Sequence, residues 1–300
     1  ELNVRYGDET KTYNTREGQR ITFTPKPAAA EPSVASRVKG DGVTELSVRS
    51  ADGELLKTYQ VNLSKHYSPA VKKTAALKEW ESYKFGAFLC YNSNQFSGLE
   101  FCKTLNPKIY NPTNLNVKSW CDAMTAASMK YAVLTTRHTS GFLLWDSATT
   151  NFDVASSGNK TDVVKEFTEM CRKQDIAPGL YYCMWGNNWD KNPNARAIIL
   201  AQLYELASNY GKIPYFWIDM MSWAPRDLPT QEVYDLLKSL QPDAIVIMNQ
   251  HVQDGTTINY FPTDILNGEI KTPPVEGHQA FRKVRDKTYY LPFEFEPVSQ

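Results

Sequence analysis

The stretch Ile213-Pro-Tyr-Phe-Trp-Ile-Asp219 decides how this chain is read. Aromatic and β-branched residues run without a polar break until a carboxylate ends the run. A segment apolar on both faces belongs to a strand covered on both sides, as in a parallel sheet flanked by helices. Similar apolar runs lie at 84–92, 131–136, 176–183, 244–249, 263–269 and 289–296. Amphipathic helical patterns fall between several of them, at 117–128, 160–174, 194–210 and 230–240. Thr161-Asp-Val-Val164 is a plausible helix start and Asn209-Tyr-Gly211 a plausible helix end. Seven strands in series with intervening helices predict an α/β fold, a (β/α)₈ TIM-like barrel rather than a doubly wound sheet. No G-x-G-x-x-G follows the first strand, which argues against a dinucleotide fold. The chain stops at Pro297-Val-Ser-Gln300, directly after the seventh strand, so the expectation is a barrel truncated or incomplete at its C-terminus.

The first 66 residues have another rhythm. Arg20-Ile-Thr-Phe-Thr24 and Val43-Thr-Glu-Leu-Ser-Val-Arg49 alternate, and Ala51-Asp-Gly53 turns the chain into Leu55-Leu-Lys-Thr-Tyr-Gln-Val-Asn-Leu63. Period-two strands around Asp-Gly signal a hairpin. The organisation expected is a small antiparallel β-domain over 1–66, with a loop at 25–32, then a linker at 64–73 and the barrel domain over 74–300.

Lys+Arg and Asp+Glu are equal at 33 each, with no basic stripe, so nucleic acid and anionic membranes are poor partners. No apolar run reaches the length of a membrane span. The chain opens on Glu1-Leu-Asn-Val4 without an initiator Met or a signal peptide, which suggests a mature or trimmed protein; a secreted or periplasmic location is expected. Cys90, Cys102, Cys121, Cys171 and Cys183 are odd in number and form no C-x-x-C pair, so thiols are expected rather than a disulfide framework. His66, His138, His251 and His278 are scattered singly, without a metal-ligand spacing; neither metal nor cofactor is expected.

In a barrel the active site is built at the carboxyl ends of the strands. Those ends carry Asn92, Arg137 and His138, Tyr181 to Trp185, Trp217 and Asp219, Asn249 and His251, Glu269, and Glu294 with Glu296. Carboxylates, aromatics and neutral hydrogen-bonding groups together suit a sugar. Indole and phenol faces stack on C–H-rich pyranose faces, while Asn, His and carboxylates take hydroxyls. Glycoside hydrolysis needs two carboxyl groups about the anomeric carbon. Asp219 and Glu269 come from different strand ends and are the candidate pair, with Glu294 and Glu296 as rivals to Glu269. His138, Arg137, Tyr181 or Tyr182, Trp185, Asn249, His251 and Glu294 are candidate sugar contacts. Trp189 and Trp223 are candidate walls of the site.

Lys84-Phe-Gly-Ala-Phe88, Met129-Lys-Tyr-Ala-Val-Leu-Thr-Thr-Arg-His138 and Gly141-Phe-Leu-Leu-Trp-Asp-Ser147 resemble the α-L-fucosidases of glycoside hydrolase family 29. So do Asp162-Val-Val-Lys-Glu-Phe167, Pro178-Gly-Leu-Tyr-Tyr182 and Tyr210-Gly211 leading into Trp217-Ile-Asp219. The resemblance runs in order over roughly residues 80–296 and implies a retaining, exo-acting hydrolase of α-L-fucosyl residues working on oligosaccharides or glycans. It implies Asp219 as nucleophile and Glu269 as acid/base, with Trp217 and Tyr181 or Tyr182 in the sugar pocket. Three positions depart from the family pattern. Cys90-Tyr91 replaces His-Trp, Thr139 replaces a second His after His138, and His251 stands where Arg is common. They leave room for a glycosidase of a different or modified sugar, such as L-galactose or a methylated fucose. A non-catalytic carbohydrate-binding homologue and a metal-dependent barrel hydrolase are the remaining alternatives.

Overall fold

The structure, a computed structural model, describes residues 2–6, 9–13, 30–98, 106–186, 189–271 and 279–297. The expected strand at 20–24, most of the loop at 25–32, Cys102 and His278 lie outside the described residues. Strands β1 (Leu2–Tyr6) and β2 (Glu9–Tyr13) form an antiparallel hairpin, and β3 (Ser33–Val38), β4 (Val43–Arg49) and β5 (Leu55–Asn62) form an antiparallel sheet. There follow α1 (Ala75–Tyr83), β6 (Gly86–Leu89), α2 (Asn94–Ser97), α3 (Val117–Ala126), β7 (Tyr131–Arg137), α4 (Val163–Lys173) and β8 (Ala177–Cys183). Then come α5 (Ala195–Asn209), β9 (Tyr215–Asp219), α6 (Thr230–Leu240), β10 (Ile245–Met248) and β11 (Leu266–Glu269). A hairpin of β12 (Phe281–Val284) and β13 (Lys287–Tyr290) and a last strand, β14 (Phe293–Glu296), complete the described chain.

Strands β6 to β10 form one five-stranded sheet, all parallel and in chain order. Strands β7 to β10 are buried on both faces, while β6 at the sheet edge is half-buried, and the two faces divide by residue parity. Ala132, Leu134, Leu180, Tyr182, Phe216, Ile218, Val246 and Met248 pack with the helices. Val133, Tyr181, Cys183, Tyr215, Trp217, Ile245 and Ile247 pack together on the other face. Strands β11 and β14 pair in parallel as a separate two-stranded sheet. The fold is therefore mixed α/β, a parallel sheet with smaller parallel and antiparallel sheets around it. Among the described residues the seven expected strands do not close into one barrel sheet.

Two expected strands are shorter than their apolar runs, for local reasons. The run at 289–296 breaks at Leu291-Pro292, because Pro292 has no N–H to give a ladder; β13 turns back onto β12 and β14 pairs with β11. The run at 263–269 starts late because side chains replace the ladder. Asp264 Oδ2 accepts from the Val246 N–H at 2.9 Å and Thr263 Oγ1 from the Met248 N–H at 3.0 Å. The helices fall close to their predicted limits: Asp162 caps α4 by accepting from the Lys165 N–H at 2.8 Å, and Gly211 follows α5 at φ +70°.

The β3–β5 sheet turns Val34, Leu46, Val48, Tyr59 and Val61 into the same buried cluster as α5 and α6. One buried carboxylate joins the parts. Glu205 of α5 accepts from the hydroxyl of Tyr59, from Trp145 Nε1 at 2.8 Å, from Ser147 Oγ at 2.6 Å and from the Ala148 N–H at 3.2 Å. Removing it would strand several buried donors, each costly to leave unpaired. Glu205→Ala is expected to destabilise the fold by about 3 kcal/mol, read as a lower urea midpoint at unchanged slope. A midpoint equal to that of the parent would show that the carboxylate does not hold the two parts together.

Candidate active site

The inner face of the parallel sheet is built in layers. At the bottom, Gly179 in β8 leaves space that a Cβ would fill, at 2.9 Å from the Tyr215 ring. The Tyr215 hydroxyl thereby reaches Glu294 at 2.9 Å, where Tyr131 OH also donates at 3.1 Å and Trp217 Nε1 at 3.2 Å. Above this, the Trp217 ring stacks on Tyr181 with centroids 5.5 Å apart, and Phe88 meets both rings edge-on. At the carboxyl ends lies the polar layer. Asp219 Oδ2 accepts from Tyr181 OH at 2.5 Å, and its Oδ1 accepts from the Met220 N–H and from Asn249 Nδ2, each at 2.7 Å.

Asn249 is the centre of this layer. Its Nδ2 also donates to Glu269 Oε2 at 2.9 Å, so one nitrogen bridges both candidate catalytic carboxyls. Two oxygens held 2.7 and 2.9 Å from one atom can be no further apart than the sum of those distances, about 5.6 Å. Its Oδ1 accepts from Asn267 Nδ2 at 2.6 Å and from the His251 N–H at 3.0 Å. Every donor and acceptor of the amide is thus used, and the amide orientation is forced: only the NH₂ end can face two carboxyls. Left-handed backbone follows each of these strand ends, at Met220 (φ 55°), His251 (φ 63°) and Ile270 (φ 64°). For a β-branched residue such as Ile270 that conformation is strained, and strain of this kind concentrates where side chains must be aimed.

The electrostatics separate the acids. Burial raises the pKa of Glu269, and the Asp219 charge adds to the effect, against the Asn249 hydrogen bond and His251. Glu296 lies opposite Glu269 in the β11–β14 register; burial, then the charges of Glu269, Glu294 and Asp219, push it up to about 8. Burial likewise raises the Tyr181 phenol well above its usual range, which keeps it a donor to Asp219. His138 has its pKa lowered by burial, with Arg137 adding and Asp219 opposing, and so stays a neutral imidazole at pH 7. Its ring lies 5.9 Å from that of Tyr181, with Nδ1 3.3 Å from Thr139 Oγ1.

The sequence-predicted residues divide. The structure brings together Asp219, Glu269, Asn249, Tyr181, Trp217 and His138. Tyr182 is a correction: it faces the helices and donates to Gln202 Oε1 of α5 at 2.6 Å, because adjacent strand residues point to opposite faces. Arg137 is a second correction. A register shift between Thr135 and Arg137 turns its side chain away from the pocket. Its Nη1 donates to the carbonyls of Cys183 and Trp185, and its guanidinium lies over the Tyr182 and Trp189 rings. Glu294 is a third: it accepts from Trp217 Nε1 beneath the polar layer and stands apart from the Asp219–Asn249–Glu269 group. His251 is at the rim, bonded to Tyr260 OH at 2.9 Å and near Ser222 Oγ at 3.3 Å. Trp185 is also at the rim, its ring 5.3 Å from that of Trp223. Sequence reasoning missed Asn267, which orients Asn249. The signal was its place two residues before Glu269, on the same strand face. Among the described residues no group of three or more His, Cys, Asp or Glu is placed to hold a metal ion.

Losing the Tyr181 hydroxyl removes a donor to Asp219 Oδ2, together with a contact to the Cys183 thiol. Tyr181→Phe is expected to lower kcat about tenfold to a hundredfold with a small change in KM, measured by steady-state kinetics on an aryl glycoside. A change confined to KM would place the phenol on the substrate instead.

Two carboxyls whose bridged oxygens lie no more than about 5.6 Å apart, at the carboxyl ends of strands, are close enough for the arrangement in which one carboxylate of a glycoside hydrolase attacks the anomeric carbon. The family model for α-L-fucosidase matches residues 63–281, so the chain belongs to the α-L-fucosidase family. Alpha-L-fucosidase 1 of Arabidopsis thaliana is 29% identical over 178 residues, covering 56% of this chain and 35% of the plant protein. Human plasma alpha-L-fucosidase is 32% identical over 123 residues, covering 37% of this chain and 26% of its own. A solved glycoside hydrolase 29 family member from an unknown rumen bacterium shares the fold, with a TM-score of 0.56 at 23% identity over 69% of this chain and 47% of that one. The chain spans about a third of the length of the curated relatives it matches.

Proposed function

We propose that this chain carries the catalytic machinery of a retaining, exo-acting α-L-fucosidase that releases terminal α-L-fucosyl residues from a glycan. The observation that carries this reading is the Asn249 bridge, which keeps oxygens of Asp219 and Glu269 no more than about 5.6 Å apart, close enough for a double-displacement pair. Among the described residues Asp219 Oδ2 accepts from the Tyr181 hydroxyl, and it keeps lone pairs for attack on the anomeric carbon. As that bond forms, the glycosidic C–O bond breaks and the Glu269 proton passes to the leaving oxygen. The raised pKa of Glu269 suits a group that must be protonated first. In the second step water attacks the same carbon, Glu269 takes its proton, and the Asp219 ester bond breaks. Trp217, Tyr181 and His138 wall the fucosyl ring.

The architecture that goes with this reading is a (β/α)₈ barrel domain over 74–300, preceded by the β-rich segment 1–66. Supporting it are five parallel strands in chain order and an inner face filled in layers. The test is hydrolysis of an aryl α-L-fucoside followed by proton NMR, with the α anomer of L-fucose expected as the first product. A β anomer formed first would sink the retaining mechanism. Thr139 and Cys90 favour running α-L-galactoside and methylated fucosides beside it. Thr139 is buried and accepts from Asn94 Nδ2 at 3.0 Å, so it replaces an imidazole with a short side chain already engaged.

A further inference from the structure

Where the family pattern has a second histidine after His138, this chain has Thr139. Its side chain is buried, and its hydroxyl oxygen accepts from Asn94 Nδ2 at 3.0 Å and lies 3.3 Å from His138 Nδ1. Asn94, Thr139 and His138 thus form a chain that runs from α2 to the loop after β7. Neighbouring contacts lace those two segments together. Asn92 Nδ2 donates to the Thr135 carbonyl at 3.2 Å and to the Phe142 carbonyl at 3.3 Å, and the Ser93 and Ser140 hydroxyls are 2.9 Å apart. Asn94 is therefore set against Thr139 by bonds that do not involve the carboxyl layer. At the other end of the chain, the His138 ring lies 5.9 Å from that of Tyr181, the donor to Asp219. Among the described residues no hydrogen bond engages His138 Nε2.

Burial holds the imidazole neutral at pH 7, so one ring nitrogen carries a proton and the other a lone pair. Which nitrogen carries the proton decides what the ring can bind. A hydroxyl oxygen that accepts from an amide is polarised toward giving its own proton. For Thr139 the acceptor within reach is His138 Nδ1. Resting on the proposed function for the identity of the ligand, we infer that Asn94 and Thr139 are positioning residues that hold His138 as its Nε2–H tautomer, a fixed donor to one oxygen of the fucosyl ring. The threonine does not stand in for a second sugar-binding imidazole. It sets the proton of the first. An Nδ1–H ring would instead turn a lone pair toward the sugar and require a hydroxyl proton from it.

The tautomer is read by ¹⁵N NMR of protein labelled in its histidine rings, because protonated and unprotonated ring nitrogens differ widely in shift. The His138 signals are assigned by their loss in His138→Gln. The parent is expected to show the Nε2–H form, Thr139→Ser to keep it, and Thr139→Val and Asn94→Ala to show both neutral forms. On an aryl α-L-fucoside, Thr139→Val is expected to raise KM about threefold to tenfold at nearly constant kcat, with the parental value regained in Thr139→Ser. L-fucose added to the parent is expected to move the Nε2 resonance. An Nδ1–H ring in the parent overturns the inference without recourse to any variant, and so does a tautomer unchanged in folded Thr139→Val. A tautomer that changes while KM does not overturns the contact with the sugar. A Thr139-dependent Nε2–H form in a protein that cleaves no fucoside upholds the positioning and rejects the hydrolytic function.

Discussion

Asp219→Gly is expected to lower kcat/KM on an aryl α-L-fucoside by about a thousandfold or more, and added azide to restore turnover with inversion, giving β-L-fucosyl azide. The loss follows from what Asp219 does. It sits at the end of β9, 9% exposed, with Tyr181, Met220 and Asn249 all donating to its two oxygens. Three donors suit a group that accepts and does not donate, and they hold it in one rotamer, as the proposed nucleophile requires. Glycine removes the attacking oxygens and leaves a space about the size of a small anion, lined by the same donors. Azide bound there attacks from the vacated face, so its product has the configuration of the missing glycosyl ester. The product is read by NMR, and folding by circular dichroism beside the parent. A folded Asp219→Gly protein with parental activity would falsify the assignment. Azide rescue with retention would move the nucleophile elsewhere.

How far this could be read without coordinates depends on the kind of constraint. Strand β9 was legible because an apolar run ending in an acid has few other uses. Helices α3 to α6 were legible because their apolar periodicity, with a cap at Asp162 and a left-handed Gly211, is a local property. The site was legible only where strand parity holds. Tyr181 and Tyr182 had to face opposite ways, but the sequence does not say which way the pocket is. The shift at Arg137 is a single extra residue, and it reverses the parity that would have placed the guanidinium in the pocket. The break at Pro292 was readable in principle from the missing N–H, yet the flanking aromatics concealed it. The Asn249 bridge was not readable. It depends on left-handed turns at Met220, His251 and Ile270, none of them glycine, and on Asn267 from a separate sheet. Those conformations are imposed by packing against local preference.

Glu269 is expected to set the alkaline limb of the pH profile and the dependence on leaving group. As general acid it must carry a proton to react, and its pKa is raised by burial and by Asp219. Activity is then present below that raised pKa and is lost as pH rises through it, while the acid limb belongs to the group that must be ionised. Glu269→Gln should abolish the alkaline limb and lower kcat/KM on a poorly activated fucoside by about 10²- to 10⁴-fold. On an aryl fucoside whose phenolate leaves unaided, the first step should survive and the glycosyl ester accumulate, seen as a burst of phenol before slow turnover. Azide should speed that second step in Glu269→Ala and give the retained α-azide, the opposite anomer to that from Asp219→Gly. The competing acid is Glu296, pushed up to about 8 and paired in register with Glu269. A high pKa alone favours Glu296, but geometry favours Glu269, because only Glu269 shares the Asn249 amide with Asp219. If Glu296→Gln, and not Glu269→Gln, removes the alkaline limb and yields the retained azide, the proton comes from β14, and the Asn249 bridge holds Glu269 for another purpose.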